Sequence, residues 1–411
     1  MFFCDQRRHW AVRPGAIMIA LLGSTAIALA GCGDDDDENA ELGAYAPLVI
    51  EGESFDADEV VSHGRDAEGA YFVVYSPDAA ESLTVLRPVD EGGLEAVNVE
   101  VPQEVEIDGE TVEISTPRSI FATDSNGETH WCLSSGKKAI YLGPNGAPEL
   151  VNEAKELDDD YAWSDDVSCR FVEAGDDKMH IITHRIGYFD DSSWSYLELS
   201  RYQEDEWEHL SGALGDGEGS PHYPFRHDLQ VVSTMANENA STDWETASAY
   251  WVGGAWTQEA TIEVGPDRAA QDVADCGDER VVGTVQREMA SGGVAQRLYT
   301  YEAHFEGGTT VEMATVEDGN QAQAAFDCDA EGRVLMARAG LVGSGTVEVR
   351  ASTNPDEPVV LGELEQDVPT RRHLGPFLVI DADGVAHVMA LEDHDEAQRR
   401  GLYWQLVPDR E

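Results

Sequence analysis

A turn of the form Asp-(Ala/Ser)-(Glu/Asp/Asn)-Gly recurs between apolar runs of this chain, and it constrains the possible folds more than any other feature. Its copies are Asp66-Ala67-Glu68-Gly69, Asp124-Ser125-Asn126-Gly127, Asp329-Ala330-Glu331-Gly332 and Asp381-Ala382-Asp383-Gly384. In the last copy Phe377-Leu378-Val379-Ile380 enters the turn and Val385-Ala386-His387-Val388-Met389 leaves it. A type I turn favours Asp at its first position, where the carboxylate accepts backbone N–H bonds, and Gly at its fourth, where a left-handed backbone meets no Cβ clash. Each copy therefore reads as a β-hairpin. Successive turn glycines are 58, 205 and 52 residues apart, so a unit near 52 residues leaves room for three weaker copies in the long interval. Two are Ala174-Gly175-Asp176-Asp177 and Cys276-Gly277-Asp278-Glu279; the third follows Val231–Thr234, with its turn expanded over Asn237–Asp243. The count is seven units.

Most units divide into four short strands. Unit one has Val60-Val61, Tyr71–Tyr75, Leu83–Arg87 and Leu94–Val99; unit six has Ala324–Cys328, Val334–Ala337, Thr346–Arg350 and Val359–Leu361. The last unit supplies three, ending in Gly401–Val407, while Ala46-Pro47-Leu48-Val49-Ile50 is a lone strand at the other end. A circular array closes when the N-terminal strand completes the last unit and removes the open edge. The expected fold class is therefore all-β: a seven-bladed β-propeller over residues 46–411, its N-terminal strand closing the last blade.

The first 31 residues do not belong to that fold. Arg7, Arg8 and Arg13 precede an apolar stretch from Ala16 to Ala30, which is short for a membrane span. Leu29-Ala30-Gly31-Cys32 resembles the lipobox of bacterial lipoproteins, which implies cleavage before Cys32 and its lipidation. Gln6-Arg7-Arg8-His9-Trp10 is similar to a twin-arginine export signal, with Trp10-Ala11 replacing the usual Phe-Leu. Gly33 in place of the Asp that retains some lipoproteins on the inner membrane points to the outer membrane or cell surface. Residues 32–45 form an acidic tether.

Cleavage removes Asp5 and three arginines, leaving 80 acids against 23 bases, a net charge of −57. Such a surface repels nucleic acid and anionic lipid, so the membrane is reached through the lipid, and a monomer is expected. The chain has four lysines, a depletion that fits a high-salt environment where screening removes self-repulsion. Beyond Cys32, the exported part holds Cys132, Cys169, Cys276 and Cys328. An even count in an exported protein points to disulfides, and positions in adjacent units favour 132–169 and 276–328.

Alternating strands sort the connections onto two faces. The Asp–Gly turns occupy one; the long connections Pro102–Pro117, Asn152–Asp165, Arg185–Ser193, Ser211–Arg226, Glu363–His373 and Glu392–Arg400 occupy the other, where a site is expected. The richest is Gly219–Asp228, whose His222, Tyr223, Arg226 and His227 suit stacking on a sugar or holding a carboxylate. Tyr161 and Trp163 adjoin Asp158-Asp159-Asp160, whose spacing is not that of a calcium loop. Arg371 and Arg372 are a basic spot on a negative protein. His130 and His387 each fall three residues after a turn Gly, where a hydrogen bond to the turn's own Asp explains them. No spacing suggests a metal site, and no cofactor is expected.

Thr123-Asp124-Ser125-Asn126-Gly127-Glu128-Thr129-His130-Trp131 is similar to the Asp-box, Ser-x-Asp-x-Gly-x-Thr-Trp, of the sialidase superfamily, with an extra residue in each half. The resemblance implies a propeller over residues 46–411. It does not extend to the family's arginine triad, Tyr/Glu pair or N-terminal Arg-Ile-Pro motif, of which Phe225-Arg226 is the sole trace. Three functions follow as expectations: a membrane-anchored, non-catalytic module that binds or scaffolds an envelope protein or glycan, a glycan-processing hydrolase or lyase with its site at the channel mouth, or a purely structural envelope component whose partner docks on the blade sides.

Overall fold

The computed structural model describes residues 47–408 apart from 67, 77–80, 90–91, 116–118, 124–128, 137, 154–161, 164–167, 173–179, 190–191, 204–205, 216–229, 237–243, 253–254, 258–267, 277–278, 290–296, 306, 318–321, 330, 341–344, 365–373 and 396–397. Among the described residues every strand pairing is antiparallel and no α-helix occurs.

Two short strands come first, β1 (Leu48–Glu51) and β2 (Phe55–Asp56). The first sheet is β3 (Glu59–Asp66), β4 (Gly69–Tyr75), β5 (Ser82–Pro88) and β6 (Leu94–Glu100). A ribbon of β7 (Glu104–Ile107) and β8 (Glu110–Glu113) leads to the second, β9 (Ile120–Thr123), β10 (Thr129–Ser135), β11 (Lys138–Leu142) and β12 (Pro148–Glu153). In the third, β13 (Ala162–Trp163) and β14 (Ser168–Val172) both pair with β15 (His180–Phe189), followed by β16 (Ser192–Gln203) and β17 (Glu206–Gly215). The fourth shows β18 (Gln230–Ala236), β19 (Trp244–Val252) and β20 (Ala255–Thr257). The fifth is β21 (Arg268–Cys276), β22 (Glu279–Met289), β23 (Arg297–Phe305) and β24 (Thr310–Glu317). The sixth is β25 (Ala322–Cys328), β26 (Val334–Gly340), β27 (Gly345–Ala351) and β28 (Asn354–Leu364). The last is β29 (Leu374–Ile380), β30 (Ala386–Asp395) and β31 (Gln398–Val407), with β1 and β2 on the outer side of β31.

The two chain ends meet in the register Leu48↔Val407, Val49↔Leu406, Ile50↔Gln405 and Glu51↔Trp404. Further along β31, Phe55 faces Gly401, and the Phe55 ring lies where a Cβ of Gly401 would be. The first-sheet loop clasps this seam: Gly92 N–H donates to Gln405 Oε1 at 3.1 Å, and Gln405 Nε2 donates to Val89 O at 2.9 Å.

Two of the Asp–Gly turns form as their sequence dictates. In Asp381–Gly384 the Asp381 carboxylate accepts the N–H of Asp383 at 2.8 Å and of Val385 at 2.9 Å, and Gly384 has φ +77°. Asp329 Oδ1 accepts the N–H of Glu331 and Arg333 in the same way, and Gly332 has φ +79°. In both, a left-handed Gly completes the hairpin. The copy at Asp124–Gly127 lies outside the described residues.

Apolar residues pack between neighbouring sheets rather than within one. One cluster joins sheets one to three through Leu83, Trp131, Leu133, Ile140 and Ile181, and another joins five and six through Tyr301, Phe326 and Met336. Sheets six and seven share Val347, Leu378 and Leu406, while seven and one share Met389, Tyr403 and Phe72. Both cysteine pairs lie at disulfide distance and staple adjacent sheets as expected: Cys132–Cys169 with Cα atoms 6.2 Å apart, Cys276–Cys328 with Cα atoms 5.1 Å apart.

Three segments expected as long connections are strands. Pro102–Pro117 contains the β7–β8 ribbon, turned by Asp108 (φ 53°) and Gly109 (φ 83°), the two positive φ values of a type I′ turn. Arg185–Ser193 continues the β15–β16 ladder to Phe189↔Ser192, and Glu392–Arg400 continues β30–β31 to Asp395↔Gln398. The polar composition of Glu392–Arg400 imitates a loop, but Glu392 and Arg400 are cross-strand partners and their charges pair.

Candidate functional site

Strands β21, β25 and β29 each form one edge of their sheets, and the outward N–H groups of such an edge need acceptors. Neighbouring carboxylates supply them. Asp272 on β21 accepts Phe326 N–H of β25 at 3.0 Å, and Asp327 on β25 accepts Ile380 N–H of β29 at 2.8 Å. The other oxygen of Asp327 accepts Cys328 N–H at 2.9 Å and lies 3.7 Å from the guanidinium of Arg65 on β3. One carboxylate, 1% exposed, thereby ties sheets six, seven and one together near the Asp–Gly turns. A charged acceptor in a buried site is stronger than a neutral one, so this bridge is costly to break. In sequence, Asp272 stands in a mixed strand beside Gln271 while Asp327 follows Phe326 in a largely apolar one, and neither is among the expected site residues.

In the last hairpin a hydrogen-bonded chain runs through three side chains. His387 Nε2 lies 3.1 Å from Asp381 Oδ2, and its Nδ1 lies 2.7 Å from the Tyr403 hydroxyl. The imidazole thus bridges the Asp381 carboxylate and the Tyr403 hydroxyl through its two ring nitrogens. Burial raises the Asp381 carboxyl, but the His387 bond and the Val385 and Asp383 N–H groups outweigh it and leave the pKa lowered. Burial pushes the Tyr403 phenol well above its usual range; the Gln405 contact opposes this and the Asp381 charge adds to it. The expected bond from His387 to its own turn Asp is thus present. His130 makes the matching contact to Tyr141, Nδ1 to hydroxyl at 2.8 Å, while Asp124 lies outside the described residues.

Toward the face opposite the Asp–Gly turns, buried acids meet arginines. Glu348 Oε1 accepts from Arg338 Nε at 3.1 Å and NH2 at 2.7 Å and from Arg350 Nε at 2.8 Å. Glu392, fully buried, pairs with Arg400, and Arg399 donates to Asp58 O at 2.7 Å. These contacts fasten the rims of sheets six and seven. Among the described residues no cluster of three metal-ligating side chains occurs.

Of the expected ligand-binding residues, Trp163 is placed, in β13 opposite Gly187 of β15. Tyr161, His222, Tyr223, Arg226, His227, Arg371, Arg372 and the lipidation residue Cys32 lie outside the described residues.

No protein-family model matches this chain, and no curated protein sequence does. Among solved structures it is similar to an oligogalacturonate lyase in complex with manganese, at 10% identity and TM-score 0.44 over 88% of this chain and 99% of that one. It is also similar to virginiamycin B lyase from Staphylococcus aureus, at 8% identity and TM-score 0.39 over 86% and 99%. A third is the intramolecular trans-sialidase from Ruminococcus gnavus, at 10% identity and TM-score 0.35 over 86% and 94%. These are propeller-like proteins. At such scores, the architecture of this chain rests on its own strand order and register.

Proposed function

We propose that this chain is an exported lipoprotein, anchored through Cys32, whose seven-bladed β-propeller binds an envelope protein or glycan without catalysis. The ring is supported by the meander order of each sheet and by the contacts of inner strands in succession, β18 with β21, β21 with β25, β25 with β29 and β29 with β3. The pairing of β1 with β31 is what closure of such a ring requires. Two cysteine pairs at disulfide distance accord with an oxidising compartment.

The observation that carries the non-catalytic reading is the commitment of the buried acids among the described residues. Asp272 and Asp327 hold backbone N–H groups, Asp329 holds its own turn, and Glu348 and Glu392 hold arginines. A catalytic carboxylate pair faces substrate instead. The binding face is the one opposite the Asp–Gly turns, and the loop Gly219–Asp228 is its expected centre.

The test is a binding screen of residues 42–411 against glycans and envelope proteins at low and high salt, repeated with His222–His227 replaced by Gly/Ser. The reading expects saturable binding without change in the ligand, weakened by the replacement. Shortening of a glycan during the assay contradicts it. Metabolic labelling with palmitate, expected for the wild type and lost in Cys32→Ser, tests the anchor.

A further inference from the structure

Among the described residues, the outermost strands of the sheets differ in how their free edges are protected. β1 is four residues long and β20 three; β12 begins at Pro148 and is flanked by β7. β17 and β24 each pair with a break in register, and β28 carries Pro355 and Pro358. Short strands, bulges and prolines keep such edges from pairing with another chain. β6 has none of these devices: Leu94–Glu100 runs seven residues in unbroken register with β5 and contains neither proline nor lysine. Two bonds fix which way its backbone points. Val89 N–H donates to Gly93 O at 3.0 Å and Val101 N–H to Glu81 O at 2.8 Å, one at each end of the β5–β6 ladder. Bonded positions alternate in an antiparallel pair, so Glu95, Val97 and Val99 turn their N–H and C=O toward β5, while Leu94, Ala96, Asn98 and Glu100 turn theirs to the open edge. Pro88, which has no N–H, accordingly stands opposite Leu94, where the ladder needs none. Gly92 O on the same edge accepts Glu53 N–H at 3.3 Å; from Leu94 to Glu100 no described backbone group covers the edge. Glu95 to Asn98 are exposed, Val97 by 49%. From Pro88 to Pro117 the chain holds nine aspartates and glutamates and no lysine, arginine or histidine.

We propose that the free edge of β6 receives an added strand, an extended cationic segment of a partner protein. The backbone groups of Leu94, Ala96, Asn98 and Glu100 hold the segment, an apolar residue of it covers Val97 on one face, and a lysine or arginine meets Glu100 on the other. The tether of this chain carries Asp34 to Asp37 and Glu38, and a second copy brings the same acids to the edge, so like charges disfavour both as occupants. The inference is independent of the binding proposed for Gly219–Asp228.

The probes are three short fluorescent peptides: one alternating valine with lysine, one alternating valine with glutamate, and the lysine peptide methylated at every backbone nitrogen. Binding to the full chain is followed by fluorescence anisotropy at low and high salt, and amide exchange by NMR. The added strand predicts that the lysine peptide binds, more weakly at high salt. With it bound, the amides of Ala96 and Asn98 exchange at least tenfold more slowly, while those of Glu95 and Val97, already bonded to β5, change less than twofold. Ala96→Pro removes one edge donor, and Ala96→Lys with Asn98→Lys puts two cations on the edge; each weakens binding at least tenfold. Should Ala96→Pro disturb folding, the lysine double variant and the exchange pattern decide. Equal binding of the methylated peptide, or unaltered Ala96 and Asn98 amides, reduces the interaction to charge and overturns the strand. Equal binding of the glutamate peptide overturns the ligand class. A dimer that the lysine double variant dissociates overturns the occupant in favour of a second copy. Absence of binding by all three peptides overturns the proposal and leaves the reading of Gly219–Asp228 standing, since that reading is tested by the loop replacement.

Discussion

Two hairpins are extended in the same way, and each receives a short added strand from a different part of the chain. In sheet seven, β30–β31 runs on to Asp395↔Gln398, its Glu392 is buried against Arg400, and Phe55 of β2 lies on Gly401. In sheet three, β15–β16 runs on to Phe189↔Ser192, and the strand added beside it brings Trp163 opposite Gly187. Each has a glycine in its raised part. One glycine admits an aromatic ring of the protein itself; the other stands between two register positions held by tryptophan.

The sharpest way to break this comparison is to uncover sheet seven. Deleting residues 47–56 removes β1 and β2, exposes the edge of β31 and strips the apolar seam between sheets seven and one. The expected loss exceeds about 5 kcal/mol, comparable to the whole stability of an ordinary domain. Guanidinium unfolding followed by tryptophan fluorescence checks it, and an unchanged midpoint refutes it. Next in size is the Cys276→Ser, Cys328→Ser double variant, which opens a bridge of sequence separation 52. It should cost about 4 kcal/mol in the same assay.

Arg400→Ala leaves the buried Glu392 carboxylate without its guanidinium and should cost roughly 3–5 kcal/mol. Gly401→Val forces a side chain into the Phe55 ring and should cost about 1–3 kcal/mol. Gly187→Val is expected to change stability by less than about 1 kcal/mol, because a β-branched residue suits a strand. Equal losses for the two glycine variants would remove the distinction between the hairpins.

The smallest effect concerns pH. The Asp381 pKa is lower in the folded protein than in the unfolded chain, so its contribution is fully present above the unfolded carboxylate value, about 4. It is lost as pH falls through the folded value. Asp381→Asn should therefore be less stable than wild type at pH 7, and the gap should close below that range in acid. Denaturant midpoints across pH check the sign; a gap that widens in acid refutes it.

The turn chemistry explains why much of the fold was legible. Asp381 and Gly384 specify their hairpin from within four residues, and the lone apolar run at Leu48–Ile50 had few partners other than the last unit. The cysteines were legible from their positions in adjacent units. The raised hairpins were not, because Glu392-Asp393-His394-Asp395 has loop composition and becomes a strand through Arg400 and the covering segment. The ribbon turn was missed although Asp108-Gly109 lies between Val105, Ile107 and Val112, Ile114, a usable local signal. Asp272 and Asp327 could not be assigned from sequence, since their partners are backbone groups of the next sheet, 54 and 53 residues away. For the candidate site, Trp163 was singled out, but its row with Gly187 and Trp194 depends on a register that periodicity does not fix.

Hydrogen exchange at the amides of Leu48–Glu51 tests the joining of the two chain ends most directly. If the N-terminal strand closes the ring, those amides paired with β31 exchange as slowly as the amides of β30, through opening of the whole domain. Exchange within seconds at neutral pH, while β30 stays protected, would contradict a ring fastened by its ends.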